Sequence, residues 1–386
     1  MLRRLLFWVP TALVAWVYAG YPLTAALAGL LRPFRVQPTL PTPELVTVGI
    51  AVHNEAAELA ERVADVLAQE VSFRLDVIIA SDGSTDDTER VAAEIVAREP
   101  SVRLLALPRA GTTAAQNAIF VAARGDVVVL TDAETRFRPR CLAALVEPFT
   151  DRRLGCVTGR LLWADGTQTD TSQQEGLYWR YEQTVRRLES HAGWLTAVTG
   201  AMLAVRRDSY RHVPDHTSLD HLLPLYVREQ GQTVIAVRDA VATDRGIASL
   251  HEQFRNRART ATRGIQANLS MAGRLAPWRR PSASLAIWSH KLLRWSTPWL
   301  AIVGATGAVF LVREGRRAYL LPLAGGTGTV GLAVVGYVLR GRGPTPRWAA
   351  FPLAVVVVNV AFLRGWLNLL RGQRLKTWHR TKWDVD

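Results

Sequence analysis

Gly125-Asp126-Val127-Val128-Val129-Leu130-Thr131-Asp132-Ala133-Glu134-Thr135 is the stretch whose reading decides the fold. Its β-branched and aliphatic run has no polar alternation, which predicts a strand buried on both faces, as in a parallel sheet. Two carboxylates two residues apart follow the run and leave the pleat on the same side. Open α/β sheets bind ligands at the carboxyl ends of their strands. Paired oxygen donors there suit Mg²⁺ or Mn²⁺ shared with a phosphate; the plainer alternative is a solvated acidic turn.

Upstream, the chain alternates strand and helix. Val46–Val52 predicts the first strand, and His53-Asn54-Glu55 follows it. Leu59, Val63, Val66 and Leu67 then recur at helical spacing, with Asn54 as the expected cap. Leu75–Ala80 predicts the second strand, ending in Ser81-Asp82-Gly83-Ser84-Thr85-Asp86-Asp87. Ser84 with Asp87 has the capping-box form and is expected to open the helix carrying Val91 and Ile95. Val102–Leu107 predicts the third strand, Arg109-Ala110-Gly111 a turn, and a small-residue helix through Asn117 and Ile119 leads to the Val127 strand. Four strands alternating with helices predict a doubly wound nucleotide-binding half.

The loops exclude two common versions of that half. No G-x-G-x-x-G follows the first strand, and no G-K-[ST] occurs in the chain. Acidic residues end strands one, two and four instead: Glu55, Asp82, and Asp132 with Glu134. Such ends repel a bare phosphate. They accept a nucleotide whose base or ribose meets a carboxylate and whose phosphates ride on a metal, the layout of a nucleotide-sugar site.

On Ala51-Val52-His53-Asn54-Glu55, Ser81-Asp82-Gly83-Ser84-Thr85-Asp86-Asp87-Thr88, Asn117 and Thr131-Asp132-Ala133-Glu134-Thr135, the chain resembles the family-2 glycosyltransferases of GT-A fold, over roughly Val46 to Gly264. The resemblance implies a mostly parallel sheet with flanking helices. It also implies a donor-nucleotide site at Ala51, Asn54, Glu55, Asp82, Asn117 and Asp132, with Glu55 and Asp82 on the uridine part of a UDP-sugar. Asp132 and Glu134 would stand for the D-x-D motif that binds divalent metal, Mg²⁺ or Mn²⁺, and diphosphate. Glu134 departs from the second Asp but keeps its charge and donor. Thr112 stands where the family often has Lys after a Gly, which removes one phosphate contact.

Further matches follow in order. Arg153–Gly159 predicts another strand, and Gln173–His191 a helix whose stripe of Leu177, Tyr181, Val185 and Leu188 is interleaved with Tyr178, Trp179 and Arg180, a face for either packing or sugar stacking. Val198-Thr199-Gly200-Ala201 resembles the segment lining the acceptor side, which implicates Thr199 and Gly200. In His216-Thr217-Ser218-Leu219-Asp220-His221, Asp220 matches the first member of the family's acidic pair, and His221 stands where the second, usually the general base, would be. Asp220 is the expected base and His221 its rival, since an imidazole titrates near working pH; Asp220 as a helix cap is the alternative. Gln253–Thr260 falls where processive members carry Q-x-x-R-W. Arg259 matches the arginine, and Arg257 and Arg259 are expected at the diphosphate, but Thr260 replaces the tryptophan expected beneath a growing polymer. An Arg-rich helix lying on anionic headgroups is the other reading of that segment.

The remaining chain is apolar and basic. Net charge is +14, nearly all of the positive residues being Arg, and 49% of residues are hydrophobic. Because the basic residues border apolar runs, they suit anionic lipid and a phosphorylated substrate, not nucleic acid. Cys141 and Cys156 are the only cysteines, which excludes a disulfide framework and fits a reducing compartment. The expected organisation is a transmembrane helix at 1–31, too long for a signal core, a Pro-rich linker at 32–45, and a GT-A domain at 46–277. A membrane region at 278–370 and a basic tail at 371–386 complete it. Within 278–370, Ser284–Trp295 reads as an interfacial segment with His290, Lys291 and Arg294 on its polar face. Trp299–Val312, Ala318–Leu339 and Trp348–Leu363 read as spans, with tryptophans at their ends. A cytosolic donor puts the domain on the cytoplasmic side of the cell membrane. Three later spans would then send the basic tail outside, so either one stretch is re-entrant or interfacial or the number of spans differs by one.

These readings converge on an integral-membrane, metal-dependent, inverting glycosyltransferase using a UDP-sugar and a lipid, lipid-linked or polysaccharide acceptor. A degenerate domain serving as a membrane scaffold or sugar-nucleotide sensor is the alternative from a different class. Nucleotidyl transfer is a third, against which the downstream spans speak.

Overall fold

The computed structural model describes residues 1–163, 170–244, 249–340 and 345–373, the side chains of 163 and 170–179 excepted. The expected Tyr178 and Trp179 face and the tail beyond 373 lie outside the described residues. The chain forms two compact units, one of Phe34–Ala164 with Gly193–Arg245 and one of Met1–Pro33, Asp165–Ala192 and Gly246–Gln373. Two helices from the 46–277 stretch, Asp170–His191 and Leu250–Ala272, therefore group with the membrane-type helices.

The first unit is a GT-A α/β fold. Its strands are β1 (Leu45–Val52), β2 (Arg74–Asp82), β3 (Val102–Leu107), β4 (Val127–Thr131), β5 (Arg136–Phe137), β6 (Leu154–Trp163), β7 (Leu203–Arg206) and β8 (Thr233–Asp244). They make one sheet in the order β3-β2-β1-β4-β7-β6-β8-β5. β1, β2, β3 and β4 run parallel, as do β6 and β8, while β7 joins the halves antiparallel and β5 pairs antiparallel with β8. The uniform apolar runs have the expected cause: Val46, Val48, Ile50, Val77, Ile78, Ile79 and Val127 through Val129 are fully buried. Gly49 lets the helix Thr112–Ala122 lie close on β1, because a Cβ there would stand 2.4 Å from Ile119 Cγ2.

Two expected caps are corrected. The helix Ala56–Leu67 starts after Glu55, and Asn54, at φ 56°, makes no cap. Its Oδ1 instead accepts from Thr85 N at 2.8 Å. The second helix is Thr88–Arg98, three residues later than a Ser84 cap requires. Ser84 Oγ accepts from Asn54 N at 3.2 Å, and Asp86 Oδ1 accepts from Thr88 N at 3.0 Å. Both polar loops therefore clasp each other across the ends of β1 and β2, a long-range use that local cap rules do not capture.

The second unit is helical. Leu2–Leu31, Arg317–Leu339 and Arg347–Leu370 are long and apolar enough to cross a membrane. Pro281–Trp295 and Thr297–Arg313 pass the same test only as a pair bent by 64°, either a broken span or a re-entrant loop. The segment around Ser284–Trp295 is not the exposed amphipathic surface expected. His290, Lys291 and Arg294 are buried, because carboxylates from the helix Asp170–His191 meet them. Glu182 receives Lys291 Nζ at 2.8 Å, Arg294 Nη2 at 2.6 Å and Arg186 Nε at 2.9 Å. His290 stands 2.8 Å from Glu189 by Nδ1 and 3.2 Å from Glu182 by Nε2. A π-helical turn, Ile287–Leu292, carries His290 and Lys291 into this cluster.

Candidate active site

The β4 run ends at Thr131, and the loop 132–135 turns directly into β5. Arg136 pins that loop. Its Nη1 donates to Ala133 O at 2.7 Å, and its Nη2 donates to Glu58 at 3.0 Å and Glu61 at 2.9 Å on the helix Ala56–Leu67. Arg62, on the same helix, is fully buried, donates to Thr131 Oγ1 at 2.7 Å and lies 4.1 Å from the Phe137 ring centre. It thus supports the end of β4 just before Asp132. The sequence signal was present: Arg62 takes an apolar-stripe position with Leu59, Val63 and Val66.

Asp132 sits in a concentration of negative charge. Burial, then the carboxylates of Glu134, Asp244 and Asp220, push it up to about 8, against the opposing pull of Arg62. Glu134 is partly buried beside it. Two carboxylates with surplus negative charge fit a hard divalent cation that completes its shell with substrate oxygens and water. Among the described residues no three His, Cys, Asp or Glu side chains form a closed metal cage.

Asp220 lies in the first turn of the helix Leu219–Glu229, whose cap position is Ser218. The Ser218 hydroxyl donates to Asp220 Oδ1, and His221 Nδ1 stands 3.1 Å from the same oxygen. The two rivals for the base are therefore hydrogen-bonded neighbours. Gly200 borders them: a Cβ there would lie 3.4 Å from Asp220 Oδ2. Thr199 N donates to Thr158 Oγ1 at 3.2 Å, fixing this segment to β6.

The expected nucleotide-side residues divide between two clasps. Asp82 is buried, and its Oδ1 accepts from Ala110 N at 2.7 Å and Gly111 N at 2.9 Å, with Arg109 on Oδ2. Gly83, at φ 59°, is needed where a Cβ would stand 2.7 Å from Arg109 N. Glu55 is buried, and its N–H donates to Thr88 Oγ1 at 2.8 Å; Ala51 is at the register position of Ala80. Asn117 is occupied by the segment that leads to Asp220. Its Nδ2 donates to Val213 O at 2.7 Å, and its Oδ1 accepts from Tyr210 at 2.9 Å. Arg257 and Arg259 belong to the helix Leu250–Ala272 in the helical unit, capped by Ser249 Oγ accepting from Glu252 N at 3.1 Å. Asp244, at the end of β8, adds to the negative charge around Asp132, and the sequence reading passed over it.

Residues 47–214 match the family profile described as glycosyl transferase family 2. The α/β domain belongs to that family. The glycosyltransferase domain is 28% identical over 159 residues to a chondroitin synthase of Pasteurella multocida (strain Pm70), covering 39% of this chain and 16% of that one. It is 25% identical over 213 residues to an N-acetylglucosaminyltransferase of Mesorhizobium japonicum, covering 51% of this chain and 50% of the relative. It is also 35% identical over 108 residues to an undecaprenyl-phosphate 4-deoxy-4-formamido-L-arabinose transferase of Aeromonas hydrophila, covering 27% and 33%. The chain spans half or less of the length of these relatives. In fold, a mannosyltransferase from Pyrobaculum calidifontis, solved with GDP-mannose and Mn²⁺, superposes with a TM-score of 0.67 at 21% identity. That superposition covers 92% of this chain and 98% of the other.

Proposed function

We propose that the protein is a membrane-embedded, inverting glycosyltransferase moving a sugar from a nucleoside-diphosphate sugar to a lipid, lipid-linked or polysaccharide acceptor. The observation that carries this reading is the set of carboxylates around Asp132, with the Asp220–His221 pair among its neighbours. Asp132 and Glu134 would hold Mg²⁺ or Mn²⁺. When bound, the ion offsets the charge of the departing diphosphate. Asp220, or His221 held by it, takes the proton of the acceptor hydroxyl as that oxygen bonds to the anomeric carbon and the nucleotide leaves from the opposite face. The covered β4 end keeps the carboxylates fixed, so little reorganisation is needed as charge develops.

On the donor side, Asp82 would take the imide N–H of a base such as uracil in place of one of its own donors, Ala110 N, Gly111 N and Arg109. Guanine offers a comparable N–H, and the GDP-mannose bound by the Pyrobaculum calidifontis enzyme keeps GDP-sugars as the second donor class. The apolar helices would anchor the domain at the cytoplasmic face of the cell membrane, beside an acceptor embedded in it.

The test is nucleotide release by the purified protein in lipid, with a panel of UDP- and GDP-sugars, each with Mn²⁺ or EDTA. Release with one donor that EDTA abolishes supports the reading and names the donor. Silence with every donor, with lipid acceptors supplied, would favour a non-catalytic scaffold.

A further inference from the structure

We infer that Thr113 is a positioning residue of this site, one that holds the Asp220–His221 pair through the backbone segment in front of it. The inference rests on the reading of that pair as the base, proposed above. Thr113 stands in the first turn of the helix Thr112–Ala122, where no helical carbonyl precedes it for the hydroxyl to bond back to. Its Oγ1 instead crosses to a distant part of the chain and donates to Thr217 O at 2.7 Å, with both residues buried. Thr217 N donates to Pro214 O at 2.8 Å, which closes a turn. Ser218, the next residue, is the cap of the helix that carries Asp220 and His221, and its hydroxyl donates to Asp220. The Thr113 hydroxyl thus fixes the backbone immediately before that cap.

The same helix repeats the contact at helical spacing. Asn117, one turn on and so on the same face, clamps both backbone groups of Val213. Val213 N donates to its Oδ1 at 3.2 Å, and its Nδ2 donates to Val213 O at 2.7 Å. Phe120, a turn further, stacks on Tyr210 with ring centres 4.2 Å apart and planes 5° from parallel. Residues 113, 117 and 120 therefore form a track along which the segment 210–217 lies, and Thr113 is its last hold before the Ser218 cap. The track itself starts from the Asp82 clasp. Ala110 N and Gly111 N both donate to Asp82, and Gly111, at φ 107°, turns the chain into the first helical residue. One helix thus joins the expected nucleotide-side carboxylate to the expected base, and Thr113 is the joint.

The test follows amide hydrogen exchange of the full chain in lipid, and turnover as nucleotide release from the UDP- or GDP-sugar that the donor panel selects. Thr113→Val keeps the shape and removes the hydroxyl. Exchange across 213–222 should quicken by about tenfold, the size of one lost buried hydrogen bond, while β1 and β2 exchange as in the wild type. kcat should fall by about ten- to a hundredfold with KM for the nucleotide sugar little changed, since a displaced base costs turnover and not donor binding. Thr113→Ser, which keeps the hydroxyl, should recover both. In whichever of Asp220→Asn and His221→Gln loses more turnover, adding Thr113→Val should cost little more, because it acts through the same group. The exchange arm needs no donor: wild-type exchange over 213–222 in Thr113→Val overturns the inference by itself. A loss of turnover that Thr113→Ser does not recover, or that multiplies with the loss in the base variant, overturns it too, by marking a merely structural residue. If Thr113→Val turns over as the wild type while the base variant does not, only this inference falls. If Asp220→Asn and His221→Gln both keep wild-type turnover, the reading of the pair as the base falls as well.

Discussion

The α/β unit and the helical unit each draw a carboxylate out of full solvent contact, Asp132 in part and Glu182 wholly, and they treat them in opposite ways. Around Asp132 the neighbours are mostly further carboxylates, and burial together with their charge pushes its carboxyl up to about 8. Burial alone would push Glu182 up too, but Arg294, Lys291, His290 and Arg186 more than offset it and hold its carboxyl well below the usual range. A buried acid surrounded by cations is complete. A half-buried acid surrounded by acids suits a cation from outside the chain, which is the reading proposed for Asp132.

The largest effect that would break this contrast is at Asp132. Asp132→Ala should lower turnover at least about a thousandfold, since several kcal/mol of charge stabilisation leave with the ion. Thermal stability of the metal-free protein should not fall, and is expected to rise slightly as crowded negative charge is removed. Glu134→Asp, keeping the oxygen donor, should retain activity within about tenfold. A turnover loss in Asp132→Ala matched by a collapse in melting temperature would mean the carboxylates are structural after all.

Glu182 should behave in reverse. Glu182→Gln leaves Arg294 and Lys291 buried beside a neutral group, and breaking such a cluster costs about 3–5 kcal/mol. Chemical unfolding in detergent should show that loss, while Mn²⁺ affinity measured below the unfolding transition stays as in the wild type. If instead Glu182→Gln is as stable as the wild type, the cluster is not what holds the bent pair Pro281–Trp295 and Thr297–Arg313.

The Asp220–His221 pair is a third kind of carboxylate environment, with one acid hydrogen-bonded to an imidazole and a hydroxyl. Removing the true base should lower kcat by about 10²–10⁴ with little change in KM. If Asp220 is the base, Asp220→Asn should carry that loss and His221→Gln a much smaller one. The reverse order would make His221 the base and Asp220 the group that orients it. Comparable losses in both would mean that the pair acts as a unit.

These contrasts also explain how much the sequence disclosed. β1 to β4 and the Asp132–Glu134 loop were legible because uninterrupted β-branched runs ending in acids are a local signal. β5 and β7 were not, being two and four residues long and stabilised by their partners alone. β8 went unread as well, and Asp244 with it, although Val241-Ala242-Thr243-Asp244 repeats the apolar-then-acid form of Leu130-Thr131-Asp132 in miniature. The polar clasps were misread for a different reason. Asn54 and Ser84 have cap chemistry, but their partners lie on the neighbouring loop. Likewise, His290, Lys291 and Arg294 look interfacial until Glu182 and Glu189, about a hundred residues away, are seen to meet them.

Asp151 supplies the smallest test, an acid between the two extremes. It is buried, and burial raises it, but Arg153 and the backbone N–H groups of Gln37 and Arg153 outweigh that and bring it to about 2. Gln37 N donates to its Oδ2 at 2.9 Å, so this charge ties down the chain before β1, which Thr39 N and Leu40 N also fasten to Thr150 O at 2.8 Å. Because the folded value lies below the ordinary one near 3.9, the stabilisation is fully present above that pH and is lost as pH falls through about 2. Arg153 is half-exposed, so solvent screening reduces the effect to about 1 kcal/mol. Asp151→Asn should therefore be less stable than the wild type by about 1 kcal/mol at pH 5, and the gap should close towards pH 2. A gap that persists at pH 2 would show that shape and hydrogen bonding hold this segment, leaving charge decisive only where Asp132 and Glu182 stand.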